Sequence, residues 1–513
     1  MSRINRRDFL KLNAALAAGA AFSAVSPAAS RRTGNTQKPN ILVFVFDAMS
    51  ARDLSLYGYS RRTTPNLEKF AERASVYHRH YAAGNFTTPG TASMLTGMYP
   101  WTHRAFNYRG MVARDLAERN IFHLLGDEYT RLGFTQNLWA DILLSQFERD
   151  LDIHVPCDAF SRFAQSAWQP DDLPGDRTMA YYAFQDFLNL RVEDSNPFPG
   201  SLLMASRDLA QAIAQERNAP PADHPRGLPT NYDFSYEHGS VFDGLQQLIE
   251  TKMGSDSPSL GYFHLWSPHE PYNPRKEFVG IFGDVETPAK PRHPLSGGNY
   301  GDRDLYKFRL AYDEFIADVD AEFGRLITRL EQAGVLEDSC VIVTSDHGEL
   351  FERGEYGHAS ALMYAPVTHI PLLISAPGQT TRTDHHSVTV NIDLLPTLLQ
   401  MAGIPVPEWV EGKPLPGFGG VEDPSRSIFP MGAKDNAAFQ PIERATFTLI
   451  KDSYELFFFT GYPDHPDTFE LYNLEDDPHE LIDLYKKDIT TASRMKDELL
   501  EAIHTANRKF PRT

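Results

Sequence analysis

A few side chains in this sequence are of types, and at positions, that could build metal-assisted chemistry. Asp47 ends a short apolar run, Val43-Phe44-Val45-Phe46-Asp47, and Asp346-His347 follow a second, Val341-Ile342-Val343-Thr344-Ser345, with Glu349 just beyond. Two carboxylates and an imidazole brought together from two strand ends can hold a divalent cation. Each aspartate alone also reads as a cap for the helix that follows its strand. Between them lies Asn85-Phe86-Thr87-Thr88-Pro89-Gly90-Thr91-Ala92-Ser93-Met94-Leu95-Thr96-Gly97. Pro89 and Gly90 fit the mouth of a helix, whose N–H groups and positive dipole end suit an oxyanion. The hydroxyl of Thr87 or Thr88 would sit beside such an anion, or would simply cap the helix. Cys157 and Cys340 are too few for a disulfide framework or a cysteine-rich zinc site.

These residues need a scaffold that gathers strand ends. Residues 39–47 form a continuous apolar run that starts at a proline and ends at a carboxylate, as a buried strand of a parallel sheet does. Leu260–Trp266, Ser339–Ser345 and His369–Ser375 read as further strands. Phe122–Tyr129 reads as helical, and Tyr312–Leu330 as a long amphipathic helix. This alternation predicts an α/β fold with a doubly wound, mostly parallel sheet flanked by helices. In such sheets functional groups collect beyond the carboxyl ends of the strands. The catalytic domain is expected over 38–415, with a largely helical insertion at 150–250. Gly412–Pro424 reads as a linker to a small α+β subdomain over 425–513, with strands at Ala445–Ile450 and Tyr454–Phe459 and a closing helix at Thr491–Arg508.

The chain has 513 residues, with 42% hydrophobic and 23% charged, which excludes disorder or coiled coil as a description of the whole. A net charge of −19 argues against nucleic acid or an anionic membrane surface as partner. An anionic substrate stays open, because a bound metal inverts the local field. Residues 1–30 read as an export signal: a basic start, an apolar run from Leu12 to Val25, then small residues. Arg6-Arg7 with Phe9-Leu10-Lys11 resembles a twin-arginine signal, which implies the twin-arginine export machinery as a partner and a periplasmic or extracellular location.

From Pro39 to about Tyr485 the sequence resembles the sulfatase branch of the alkaline phosphatase superfamily. The resemblance rests on several segments in order. Asp47-Ala-Met-Ser-Ala-Arg-Asp-Leu and Thr64-Pro-Asn-Leu open it, and Leu95-Thr-Gly-Met-Tyr-Pro100 closes the nucleophile motif. Trp266-Ser-Pro-His269-Glu-Pro-Tyr272, Ser345-Asp-His-Gly-Glu349, Gly357-His358, Ile392-Asp-Leu-Leu-Pro and Glu470-Leu-Tyr-Asn follow. The resemblance implies that Asp47, Asp346 and His347 ligate a divalent metal ion (Ca, Mn, Mg or Zn). It implies Thr87 as nucleophile and further ligand, and His269 and His358 as groups that bind substrate oxygens or protonate the leaving group.

Two departures bear on activity. Sulfatases carry Cys or Ser at the position of Thr87 and oxidise it to formylglycine, which threonine cannot become. Ala48 stands where a second aspartate is usual. An unmodified threonine instead resembles phosphoethanolamine transferases, lipoteichoic acid synthases and related phosphodiesterases. The expectation is an exported, metal-dependent hydrolase of phospho- or phosphonoesters, with diesters foremost, acting on a small-molecule, lipid or glycan ester through a covalent threonine intermediate. The alternatives are a sulfuric ester hydrolase, a phosphoryl-group transferase and, more distantly, an inactive binding protein on the same scaffold.

Overall fold

The four apolar runs that sequence singles out become adjacent central strands. In the computed structural model, which describes residues 38–161, 222–231, 234–253, 257–283 and 290–510, eight strands form one sheet. They are β1 Asn40–Phe46, β2 Ser75–Tyr77, β3 Thr130–Thr135, β4 Ile153–Val155, β5 Ser259–Leu265, β6 Ser339–Thr344, β7 Leu372–Ser375 and β8 Thr383–His385. Their order is β8-β2-β7-β6-β1-β5-β3-β4. Neighbours pair in parallel except β7, which runs opposite to β6 and β2. β7 begins at Leu372 and not at His369, because Pro371 has no N–H for a ladder bond.

β1 is buried on both faces, which explains its lack of alternation. Leu42, Phe44 and Phe46 point into a core shared with helices α1 Pro65–Ala71, α4 His238–Lys252 and α5 Asp302–Gln332. Ile41, Val43 and Val45 point the other way, toward α2 Thr87–Thr96, α3 Leu138–Gln146 and α6 Leu394–Met401. Each buried aliphatic or aromatic side chain of this kind contributes about 1.5–3 kcal/mol. Phe44 stacks on Phe263 at 5.3 Å between ring centroids. Its truncation to alanine removes that contact at a cost of about 3–5 kcal/mol. α5 starts ten residues before the Tyr312 that sequence reading gives, because most of its first third is solvated and carries little apolar periodicity.

Beyond the sheet, β9 Met431–Gly432, β10 Ala445–Lys451, β11 Tyr454–Thr460 and β12 Thr468–Asn473 form an antiparallel four-stranded sheet. Helix α7, Ile489–Asn507, packs Met495 and Leu499 on Phe447 and Leu456 of this sheet. The Asp488 side chain caps α7, accepting from the Thr491 N–H at 3.1 Å. The 412–424 stretch is packed and not a free tether. The N–H of Gly412 donates to the Gly97 carbonyl, Leu415 is fully buried, and Arg426 forks onto Asp393 with two 2.6 Å contacts. The 1–30 signal and most of the 150–250 insertion lie outside the described residues.

Candidate active site

Strand register assembles the site. Thr135 on β3, His264 on β5, Val45 on β1 and Thr344 on β6 lie on one line across the sheet. Two residues past that line come Asn137, Asp47 and Asp346, all at the carboxyl ends of parallel strands. α2 aims its first turn at the same place. Its helix is capped at Phe86, and no side chain supplies the cap. The Thr87 hydroxyl is therefore not spent on capping and faces the carboxylates. Gly90 lets the helix come this close, since a β-carbon there would lie 2.3 Å from the Asp346 carbonyl oxygen.

The distances define a buried cluster. Asn137 Nδ2 donates to Thr87 Oγ1 at 3.0 Å and also to Asp47 Oδ2. His347 Nε2 lies 3.4 Å from Thr87 Oγ1, 3.4 Å from Asp47 Oδ1 and 3.6 Å from Asp346 Oδ2. His264 Nε2 lies 3.3 Å from Asp47 Oδ2 and 3.6 Å from Asp346 Oδ2. The backbone N–H groups of Ala48 and His347 donate to Asp346 Oδ1 at 3.3 and 3.0 Å. Asp47 Oδ1 and Asp346 Oδ2 are buried and accept no hydrogen bond. Two orphaned carboxylate oxygens among imidazole nitrogens form a donor set for a cation. Asp47, His264 and Asp346 place their ligand atoms within 4.8 Å of one another, close enough to hold a metal ion.

Electrostatics fit that reading. Burial alone would raise the Asp47 carboxyl, but His269, His264 and His347 outweigh it and hold Asp47 well below the usual range. Burial, with Asp47 adding, raises Asp346. For His347 burial acts downward, yet Asp346 and Asp47 carry it up to about 9. Two buried carboxylates that lift each other's or their neighbour's proton affinity concentrate negative charge at this point, which a bound cation would offset.

The site opens on one side. Asp47, His264, Asp346 and His347 are fully buried, whereas His269 is 7% exposed and the His358 side chain 11%. The rings of His347 and His358 are 4.2 Å apart, and those of His358 and His269 are 4.8 Å apart. His269 Nδ1 donates to the Glu270 carbonyl at 2.9 Å, which turns Nε2 away from that carbonyl. His358 Nδ1 contacts Glu349 Oε1 at 2.9 Å, and the Tyr272 hydroxyl donates to Glu349 Oε2 at 3.1 Å. Burial, with Glu270 adding, pushes Glu349 up to about 8, while burial, with His347 and His269 adding, pushes His358 down. The opposite shifts favour a neutral pair that shares one proton over an ion pair.

All six residues predicted from sequence, Asp47, Thr87, His269, Asp346, His347 and His358, come together here. His264 and Asn137 were not predicted. His264 had a signal, a lone imidazole inside a continuously apolar strand. Asn137 had none, because β3 contains Arg131 and Gly133 and does not read as a buried run. Neither cysteine takes part: Cys340 is buried within β6, where burial pushes its thiol up to about 12.

Residues 39–404 match the family model described as Sulfatase, and residues 354–508 match that described as N-sulphoglucosamine sulphohydrolase, C-terminal. The chain belongs to the Sulfatase family and is a hydrolase of ester bonds. It is 24% identical to the choline-sulfatase of Rhizobium meliloti (strain 1021) over 481 residues, covering 88% of this chain and 83% of that one. It is 22% identical to the multifunctional alkaline phosphatase superfamily protein PehA of Trinickia caryophylli, covering 82% and 85%. Among solved structures, the phosphonate monoester hydrolase of Agrobacterium radiobacter shares the fold with a TM-score of 0.63 at 19% identity, covering 91% of this chain and 96% of that one.

Proposed function

We propose that this chain is an exported, metal-dependent hydrolase of phospho- or phosphonoesters, diesters foremost, that works through a covalent intermediate on Thr87. The observation that carries the reading is the position of Thr87 Oγ1. It lies at the open first turn of α2, within 3.0 Å of Asn137 Nδ2 and 3.4 Å of His347 Nε2, beside the orphaned oxygens of Asp47 and Asp346.

Asp47, Asp346 and His347 would hold the metal. Bound there, a divalent cation lowers the pKa of the nearby hydroxyl and neutralises charge on the ester. The chain's own residues do the rest. Asn137 fixes the Thr87 rotamer through its 3.0 Å hydrogen bond. Thr87 Oγ attacks phosphorus, its proton passing to solvent, and the Oγ–P bond forms as the bond from phosphorus to the leaving oxygen breaks. His269 or His358, on the open side, gives a proton to that oxygen. Water then attacks phosphorus in line, the Oγ–P bond breaks, and the threonine hydroxyl is restored. The first turn of α2 stabilises charge on the transferred group in both steps.

The nucleophile argues for phosphorus over sulfur. A formylglycine hydrate expels sulfate by collapsing to the aldehyde. Threonine has a single hydroxyl and lacks that route, so a sulfothreonine would need water to attack sulfur.

The test is turnover of matched aryl phosphate monoester, phosphate diester, phosphonate and sulfate substrates. Phospho- or phosphonoesters should be cleaved faster, Thr87→Ala should abolish turnover and Thr88→Ala should not. Intact mass after a short reaction should show an adduct on Thr87 that matches the group left on phosphorus, a phosphate from a monoester, a phosphate still carrying its second ester group from a diester, and a phosphonate from a phosphonate ester. Fast multiple turnover of the sulfate with inert phosphoesters would restore the sulfatase alternative.

Export by the twin-arginine route belongs to the same reading and rests on Arg6-Arg7. Among the described residues no helix is long and apolar enough to cross a membrane.

A further inference from the structure

A second group of ligand-type side chains lies outside the Thr87 cluster, where the 222–231 segment meets the start of α4. Asp223, His224 and Glu237 each bring one ligand atom to within 4.8 Å of the others. We propose that these three residues form a second metal site, that it takes Zn2+ or a similar transition-metal ion, and that the ion clamps the 222–231 segment to α4. None of the three belongs to the ester-cleaving site described above.

His224 points to a ligand first. It is 2% exposed, and neither Nδ1 nor Nε2 makes a hydrogen bond. A neutral imidazole has one N–H to give and one lone pair to fill. Burying both unmet is costly, and other buried histidines of this chain avoid it. His238 spends Nδ1 on Asp318 and Nε2 on Ser267, at 3.1 and 2.7 Å. His103 spends Nε2 on Ser93 and Nδ1 on the Ala105 N–H, both at 3.0 Å. On His224, a cation held with the neighbouring carboxylates would fill the lone pair that no protein group reaches.

The spacing agrees. His224 Nδ1 lies 3.4 Å from Asp223 Oδ1. That is longer than an N–H···O hydrogen bond of about 2.7–3.2 Å. It matches the separation of about 3.3–3.4 Å between two ligand atoms on a tetrahedral ion with bonds of about 2.0–2.1 Å. The Asp223 side chain is 67% exposed, so an ion can reach the group from solvent. Glu237 stands at the N-cap of α4, yet its carboxylate makes no cap hydrogen bond.

One imidazole and two carboxylates are a mixed nitrogen-and-oxygen set. Zn2+ accepts both donor types, whereas Ca2+ and Mg2+ surround themselves with oxygen. Three protein ligands leave a fourth position for water. The backbone around the ligands is already fixed. The Lys276 N–H donates to the Asp223 carbonyl at 2.7 Å, and the Gly227 N–H to the His224 carbonyl at 3.0 Å. On the other side, α4 buries Val241, Phe242 and Leu245 in the core. A bound ion would therefore tie the 222–231 segment to a core helix, in a chain whose two cysteines are free.

The experiment uses the full-length protein, loaded with Zn2+ and desalted. Metal content, calorimetric titration and hydrogen exchange over 222–231 are read in wild type and in Asp47→Asn, which separates this site from the Thr87 cluster. One Zn2+ should remain in Asp47→Asn, bound about 100-fold more tightly than Ca2+ or Mg2+. His224→Ala should lose one equivalent of Zn2+ in either background, with ester cleavage by the otherwise wild-type enzyme unchanged. Exchange over 222–231 should be about 10-fold slower with Zn2+ than after chelation, and His224→Ala should abolish that difference. Should His224→Ala fail to fold, Glu237→Gln on a partly exposed side chain should weaken Zn2+ binding about 10-fold. Equal Zn2+ content and affinity in wild type and His224→Ala, or in Glu237→Gln where the former does not fold, would overturn the proposal. Ca2+ bound as tightly as Zn2+ would overturn the choice of ion, and exchange that ignores Zn2+ would overturn the clamp. Loss of ester cleavage in Asp47→Asn bears only on the Thr87 cluster.

Discussion

Replacing Gly90 by alanine tests the architecture of the site without touching a polar group. Gly90 lies in the first turn of α2, three residues after Thr87, where helix propensity alone makes alanine better by about 0.8–1 kcal/mol. The structure predicts the opposite outcome. A β-carbon would lie 2.3 Å from the Asp346 carbonyl oxygen, 3.0 Å from its carbonyl carbon and 3.3 Å from its Cβ. Relief needs about 1 Å of separation between α2 and the end of β6. The helix cannot simply tilt, since Asn391 Nδ2 holds the Gly90 carbonyl at 3.0 Å from the other side. Overpacking of this kind costs about 1–3 kcal/mol, which leaves a net loss of about 0–2 kcal/mol after the propensity gain. Catalysis should suffer more than stability, because a displacement of about 1 Å between Thr87 and Asp346 costs about 100-fold in rate. The assays are urea unfolding, kcat on an aryl phosphodiester or phosphonate, and metal affinity. Gly239→Ala near the start of α4, where a β-carbon meets nothing within 4 Å, serves as the control and should cost neither stability nor rate. A Gly90→Ala enzyme with wild-type kcat and raised stability would refute the claim that α2 must touch Asp346.

Asp47→Asn or His347→Ala should each remove most bound metal and most turnover while the fold survives by circular dichroism, and unchanged metal content in either would displace the site. Glu349→Gln should keep the His358 contact and much of the activity, whereas Glu349→Ala should lower kcat more than KM and move the acidic limb of the pH profile. Arg6→Lys with Arg7→Lys should hold folded precursor in the cytoplasm, and undiminished export would refute the twin-arginine route. A pH effect follows from His103, which is fully buried, contacts Ser93 Oγ through Nε2 at 3.0 Å and accepts the Ala105 N–H at Nδ1. Burial, with Arg104 adding, drives its pKa down to about 3. The unfolded chain takes up this proton below about pH 6.5 and the folded one does not. Its contribution is therefore full above pH 6.5 and is lost as pH falls toward 3, on the order of 2 kcal/mol between pH 6.5 and 5. Urea midpoints at pH 7 and 5 should differ less in His103→Gln than in wild type, and an equal difference would refute this account.

The legible parts of the molecule were those in which one chemical pattern is local in sequence. β1, β5 and β6 announce themselves because strands buried on both faces are apolar without interruption, and Asp47 and Asp346 stand out by ending two of them. β10, β11 and α7 are likewise readable from short-range pattern, whereas β9 and β12 of the same sheet were not read as strands. What sequence left hidden depends on pairing between distant segments. β3 carries Arg131, which reaches Asp152 at the sheet edge, and Gly133, which leaves room for Leu144 and Leu151. These residues of β3, the strand next to the edge, erase the apolar run, and with it the clue that Asn137 stands level with Asp47. His264 shows the same limit from the other side. Its register opposite Val45 and Thr135 is set by hydrogen bonds between strands more than a hundred residues apart in sequence. A histidine in an apolar strand is compatible with a satisfied core imidazole until the pairing is known. Only the paired sheet turns its Nε2 toward Asp47 Oδ2 and toward Asp346 Oδ2, the second a buried oxygen that accepts no hydrogen bond, and at that point His264 reads as part of the site and not as an isolated core imidazole.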